Sequence, residues 1–135
     1  MAIFAATDYS ITIGGTDFSA VLVSAELSVE AEDIETTAMG DTFRTRIAGL
    51  KTGTLTLELH QDFAASATDT TIFSALGTSV AVVLKPTSAA VGATNPTYTM
   101  NCLVTQAQPF NSSVGDLATQ SVTWPIDGAV VRATS

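Results

Sequence analysis

Two stretches of strict apolar–polar alternation dominate the chain. Over residues 20–31, Val21, Val23, Ala25, Leu27 and Val29 fall on one face, with Ser24, Glu26, Ser28 and Glu30 on the other. Over residues 54–63, Leu55, Leu57 and Leu59 stand opposite Thr56, Glu58, His60 and Asp62. A period of two predicts strands of a sheet with one dry and one wet face. Between them lies an arm at about residues 32–51, acidic at Glu32, Asp33, Glu35 and Asp41, then basic at Arg44, Arg46 and Lys51. The arm is too long for a hairpin turn, and ordered loops of that length are uncommon in compact domains unless they have a use. Carrying both charge signs, it suits docking onto another copy of the chain. It is expected to be mobile in the free subunit and to order when its charges pair between copies.

The remaining pattern is also that of strands. Tyr9, Ile11 and Ile13 alternate with Ser10 and Thr12, and Gly14-Gly15-Thr16-Asp17 predicts a turn into the long strand that follows. A short strand is expected over residues 43–47, with Gly49-Leu50-Lys51-Thr52-Gly53 leading into the second alternating stretch. A short helix is expected after Asp69 as N-cap, with Ile72, Phe73 and Leu76 as its apolar stripe and Gly77 as its stop. The apolar run at residues 80–84 reads as a strand covered on both faces. Further strands are expected over residues 97–106, 118–125 and 129–133, after a loop of small residues at 85–96. No repeat or linker divides the chain, so residues 1–135 read as one domain. The fold expected is mainly β: an antiparallel β-sandwich or partly open barrel with one short flanking α-helix and a long protruding loop.

Four strands carry wet faces without a basic residue. The sets are Ser24, Glu26, Ser28 and Glu30; Thr54, Thr56, Glu58, His60 and Asp62; Thr97, Thr99, Asn101 and Thr105; and Thr119, Ser121 and Thr123. Their dry partners in the last two are Tyr98, Met100, Cys102 and Val104, then Val122, Trp124 and Ile126. Side by side the wet sets would form a broad acidic surface. An ordinary solvated sheet face mixes both charge signs.

Composition narrows the function classes. Apolar residues make up 46% of the chain and charged ones 13%, which argues against disorder. The net charge of −8 disfavours nucleic acid and anionic membranes as attractive partners, though DNA that passes without adhering remains compatible. The single cysteine, Cys102, allows no intramolecular disulfide. The opening Met1-Ala2-Ile3-Phe4-Ala5-Ala6 lacks the basic start of a secretory signal, and no apolar run is long enough for a membrane helix, so synthesis in the cytoplasm is expected.

Residues 36–41, Thr-Thr-Ala-Met-Gly-Asp, followed by residues 46–57, Arg-Ile-Ala-Gly-Leu-Lys-Thr-Gly-Thr-Leu-Thr-Leu, resemble the core signature of major tail tube proteins of long-tailed bacteriophages. Asn95-Pro96-Thr97-Tyr98-Thr99, the turn Gly115-Asp116-Leu117-Ala118-Thr119 into Val122-Thr123-Trp124-Pro125, and Arg132-Ala133-Thr134 are similar to tail proteins of phages with actinobacterial hosts. The resemblance implies a two-sheet sandwich, hexameric rings stacked into a hollow tube, a loop reaching the neighbouring ring and DNA passing through the bore. It also implies a virion location and, as partners, the tape measure, tail terminator and tail tip proteins. On this chain the bore would be lined by Glu26, Glu30, Glu58 and Asp62, repelling phosphates. The arm residues Glu32, Asp33, Glu35, Asp41, Arg44, Arg46 and Lys51 would join subunits. A terminator of the same fold is not separable from a tube subunit by sequence.

Catalytic readings are weaker. His60 lies between Glu58 and Asp62 on one strand face, but alternate strand residues sit roughly 6.5–7 Å apart and do not converge on one ion. Cys102 falls between Met100 and Val104 on a dry face, as an inert buried thiol would. The glycines are turn glycines without a phosphate-binding motif, and Asn111-Ser112-Ser113 matches a glycosylation sequon that matters only after secretion. No enzyme, cofactor or metal is expected. The other class to weigh is a carbohydrate-binding or decoration module, which would group aromatics on an exposed face; the aromatic positions here fall mostly on apolar faces.

Overall fold

The computed structural model describes residue 5, residues 7–64 and residues 67–135. Its first strands are β1 (Ser10–Ile13) and β2 (Thr16–Asp17), joined by Gly14 at φ 58° and Gly15 at φ 88°. Two consecutive left-handed residues make the turn whose twist matches a hairpin, and glycine adopts them without strain. The chain therefore doubles back before the long strand rather than running into it. Phe18 is buried, a single 3-10 turn (Ser19–Val21) follows, and the Ser19 hydroxyl accepts the Ile11 N–H at 3.0 Å. Then come β3 (Leu22–Glu35), β4 (Arg46–His60), α1 (Thr68–Ser74), β5 (Ser79–Lys85), β6 (Thr97–Leu103), β7 (Thr119–Pro125) and β8 (Val131–Ala133).

These strands form two antiparallel sheets, ordered β2-β1-β5-β6-β8 and β3-β4-β7. They pack face to face as a β-sandwich, with no closed barrel. The dry positions meet in one core: Leu55, Leu57 and Leu59 of β4 with Val122 and Trp124 of β7, against Ile11, Ile13, Val82, Met100 and Cys102 of the other sheet. The Trp124 indole N–H is not left unpaired there, since it donates to the Gln106 carbonyl at 3.0 Å.

Several expectations need correcting. The wet strand containing Thr97, Thr99 and Asn101 is β6, which belongs to the five-stranded sheet, so only three of the four wet sets lie side by side. Thr105 lies past the end of β6, and Asp62 past the end of β4. A register shift between Leu22 and Ser24 inserts an extra residue in β3 and turns Val23 outward, breaking the alternation expected there. The helix N-cap is Ala67, with Asp69 in the first turn. In β5 only Val82 is buried and Ala81 is exposed, so that strand is not covered on both faces. The aromatics also depart from expectation: Phe43, Phe63, Phe73 and Phe110 are all exposed.

The arm differs most. The chain is strand from Leu22 to Glu35 and again from Arg46 to His60, so β3 and β4 are the legs of one hairpin, and only residues 36–45 form its loop. Residues 43–45 belong to that loop, and the Gly49–Gly53 stretch is strand. Residues 29–48 are exposed, and beyond Ala31 the two legs pair only with each other. The arm is a two-stranded ribbon projecting from the sandwich.

Candidate assembly surfaces

The polar face expected from alternation is present on the β3-β4-β7 sheet. Register places Glu26, Thr56 and Thr123 in one row, Ser24, Glu58 and Ser121 in the next, and Ser28 beside Thr54. Glu30 extends the surface beside Thr52. Thr56 and Thr123 share a hydrogen bond of 3.3 Å between their hydroxyls. No lysine or arginine falls on these rows, so their carboxylates have no cation on their own face. Asp62 does not join them: it sits in the turn toward α1, where its Oδ1 accepts the Ala64 N–H at 2.9 Å.

Most charges on the ribbon are met locally. Arg44 donates to Glu35 at 2.7 Å and Arg46 to Asp33 at 2.6 Å, both across the hairpin and both exposed. Asp41 accepts the Ala38 N–H at 2.8 Å and closes the tip, where Gly40 takes φ 93°. These four arginine and carboxylate groups, expected to pair between copies, already face one another within the subunit. A second register shift, between Ala31 and Asp33, places an extra residue in β4 and exchanges the faces of the outer ribbon. The ion pairs lie on one side; Ile34 lies opposite Ile47, and the Glu32 and Ile34 side chains close over Gly49, where a Cβ would meet them at 2.8–3.1 Å. Lys51 pairs in register with Ala31 at the ribbon base. The ribbon also exposes apolar side chains: Met39 at the tip is fully exposed, and Phe43, Ile47 and Leu50 are mostly so.

A second apolar group lies at the far end of β4. Phe63 follows that strand and meets Phe110 with ring centroids 5.9 Å apart. The loop bearing Phe110 is tied to β4 through Gln61, whose side-chain amide donates to the Pro109 carbonyl at 2.8 Å and whose own N–H donates to the Ala118 carbonyl at 3.0 Å. Val114 and Leu117 of the same loop are also exposed. Exposed apolar groups clustered in this way mark contact surfaces.

The sequence-based chemical candidates are placed as follows. His60 is half-buried opposite Thr119 and its Nδ1 has no hydrogen-bond partner. Glu58 lies two residues away on the same strand and Asp62 lies beyond the strand end; among the described residues no group of three His, Cys, Asp or Glu side chains is placed to hold a metal ion. Cys102 is buried and unpaired, and burial pushes its thiol up to about 11.

No protein-family model and no curated protein matches the chain. Among solved structures, it shares its fold with a chain from the virion of a native gene transfer agent particle, at TM-score 0.72 and 15% identity over 97% of this chain and 99% of that one. A chain of the sheath/tube terminator structure of an extracellular contractile injection system gives 0.66 at 16% identity, covering 96% of both chains. A chain from the tail of the empty gene transfer agent particle, solved with C6 symmetry, gives 0.63 at 13% identity over 96% of this chain and 98% of that one. At these identities the likeness is one of fold, and it spans nearly the whole chain.

Proposed function

We propose that this chain is a structural tail protein of a phage-like particle, a subunit that assembles into hexameric rings stacked as a hollow tube. The observation that carries this reading is the three-stranded face on which Glu26, Glu30 and Glu58 stand among serines and threonines without a cation. Turned inward in a ring, such a face repels phosphates, so a DNA duplex passes along it without adhering. Asp62 would line the same bore from its mouth. The fold likeness to tail chains, one of them in a C6 assembly, supports the ring.

The two apolar ends support a direction of stacking. Strand β4, of 15 residues, separates the ribbon's loop from the Phe63–Phe110 group by about 50 Å. Seating the Met39 and Phe43 tip of one copy on Phe63 and Phe110 of the next is a head-to-tail contact that does not close, and such contacts propagate into a filament. Glu32, Asp33, Glu35, Asp41, Arg44, Arg46 and Lys51 would then flank the junction. The role is structural rather than catalytic; the partners are other copies, the tape measure, terminator and tip proteins of the tail, and DNA as cargo in a virion.

A second reading, a terminator that stops at one ring, is favoured by the likeness to the injection-system terminator structure. Negative-stain microscopy of the concentrated chain separates the two: hollow tubes support the tube subunit, and isolated rings support the terminator. A chain that stays monomeric at every concentration overturns both.

A further inference from the structure

The two edges of the β3-β4-β7 sheet are treated differently. In β7, residues 120, 122 and 124 face β4 in the ladder, so the backbones of Thr119, Ser121, Thr123 and Pro125 point out of the sheet. Each N–H that those positions offer is taken by a side chain. Thr123 N–H donates to the Gln106 side-chain oxygen at 3.1 Å, Ser121 N–H to the Gln108 side-chain oxygen at 3.3 Å, and Thr119 N–H to the Ser112 hydroxyl at 3.3 Å. Pro125 has no N–H to offer. The connector after β6 starts from the Cys102–Ile126 bridge and runs antiparallel beside β7, yet it meets that strand through glutamine side chains. Gln120 returns the contact by accepting the Gln108 N–H at 3.0 Å.

Among the described residues the opposite edge is open. None of the hydrogen bonds among the described residues brings a side chain onto the outward backbone of β3 along its 14 residues. Its dry face is only partly covered there, with Ala25 and Leu27 half-buried against the core. Ala25, Leu27 and Val29 line an open cleft of about 480 Å³ with Leu84, Pro86 and Tyr98, and Val29 is half exposed. Elsewhere the edges are two or three residues long, a usual protection against pairing. A long free edge beside an unfilled apolar cleft calls for a strand.

Resting on the tube reading, we infer that β7 is the complementary edge and that Gln106 and Gln108 are a latch holding it closed in the free subunit. The occupant is β3 of a second copy. Its wet and dry faces match those of β7, so the joined sheet continues both the acidic face and the apolar one. Side-chain amide bonds are individually weak and exchange for main-chain bonds when β3 arrives. The latch thereby prevents indiscriminate edge pairing without blocking it permanently.

The test uses the purified full chain and the double variant Gln106→Ala with Gln108→Ala; the main-chain bond of Gln106 to Trp124 survives both changes. In the free variant the Ser121 and Thr123 amides should lose their hydrogen-exchange protection by NMR. The concentration threshold for sedimenting polymer should fall about tenfold, the effect of releasing two such bonds. In the polymers those two amides should be protected again, now by main-chain pairing. Single variants Q106A and Q108A, each freeing one amide, keep the test open if the double variant folds poorly. An unchanged threshold despite freed amides overturns the latch, as do polymers in which Ser121 and Thr123 still exchange. If wild type and variants alike never polymerise, the tube reading itself fails and takes the latch with it.

Discussion

Leu57 has no exposed surface and sits on the middle strand, between Ala25 and Val122. Leu57→Ala should therefore cost about 2–5 kcal/mol, read as a drop in urea midpoint. Gly53 is a tighter constraint: a Cβ there would lie 2.9 Å from Ile126 Cδ1 and 3.0 Å from the Ser28 carbonyl. Gly53→Val should destabilise by about 1–3 kcal/mol through overpacking, and a wild-type midpoint would refute this. The buried Cys102 thiol is raised in the folded state, from 9.0 to about 11. Its contribution to stability is thus full below pH 9 and lost as pH rises toward 11, because only the unfolded chain ionises easily. A thiol reagent at pH 8 should label Cys102 only after unfolding, and Cys102→Val should flatten part of the alkaline fall in stability. Equal alkaline slopes in the two proteins would contradict it. The leucines and Cys102 were legible from alternation alone. Gln106 and Gln108 were not singled out, although a Gln-Ala-Gln spacing beside an edge-strand pattern ending in proline was the available signal.

At the scale of elements the ribbon decides most. Exposed ion pairs are worth only ~0–1 kcal/mol each, and the ribbon lies outside the core. Arg44→Glu with Arg46→Glu should therefore shift the melting temperature by no more than about 3 °C. The same variant places like charges against Glu35 and Asp33, opens the ribbon and should abolish tubes under the microscope. Normal tubes would remove the ribbon from the assembly mechanism, and a collapsed melting temperature would make it part of the subunit's own stability. The hairpin had a visible mark in the sequence: Asp33-x-Glu35 and Arg44-x-Arg46 mirror each other across Met39 and Gly40. Length concealed it, because the register shift past Ala31 breaks the period that identified the inner strands.

For the whole molecule, the net charge of −8 makes every copy repel the next. Raising salt from about 0.02 to 0.3 M shortens the screening length severalfold and should lower the polymerisation threshold, measured by sedimentation. A threshold that rises with salt would show that attractive ion pairs dominate the contacts. Glu26→Lys with Glu58→Lys changes two exposed or half-buried face positions, so the fold should stay within about 0.5 kcal/mol of wild type. Tubes of that variant should retain short duplex DNA at low salt and release it at high salt. Tubes that retain none would place those carboxylates away from the bore.

What the sequence determined by itself was local: which residues alternate, which positions are wet or dry, where glycines turn the chain, and that Glu26, Glu30 and Glu58 have no basic neighbour on their face. Those follow from side-chain chemistry at a spacing of two, which a strand keeps wherever it lies. Tertiary structure alone decided that β6 pairs with β5 while β7 pairs with β4, which removed one wet set from the polar face. It also decided that the ribbon arginines face their own carboxylates, and that glutamines close the β7 edge while the β3 edge stays open among the described residues. Pairing partners and edges depend on contacts between residues far apart in the chain, and period-two alternation is the same on any neighbour.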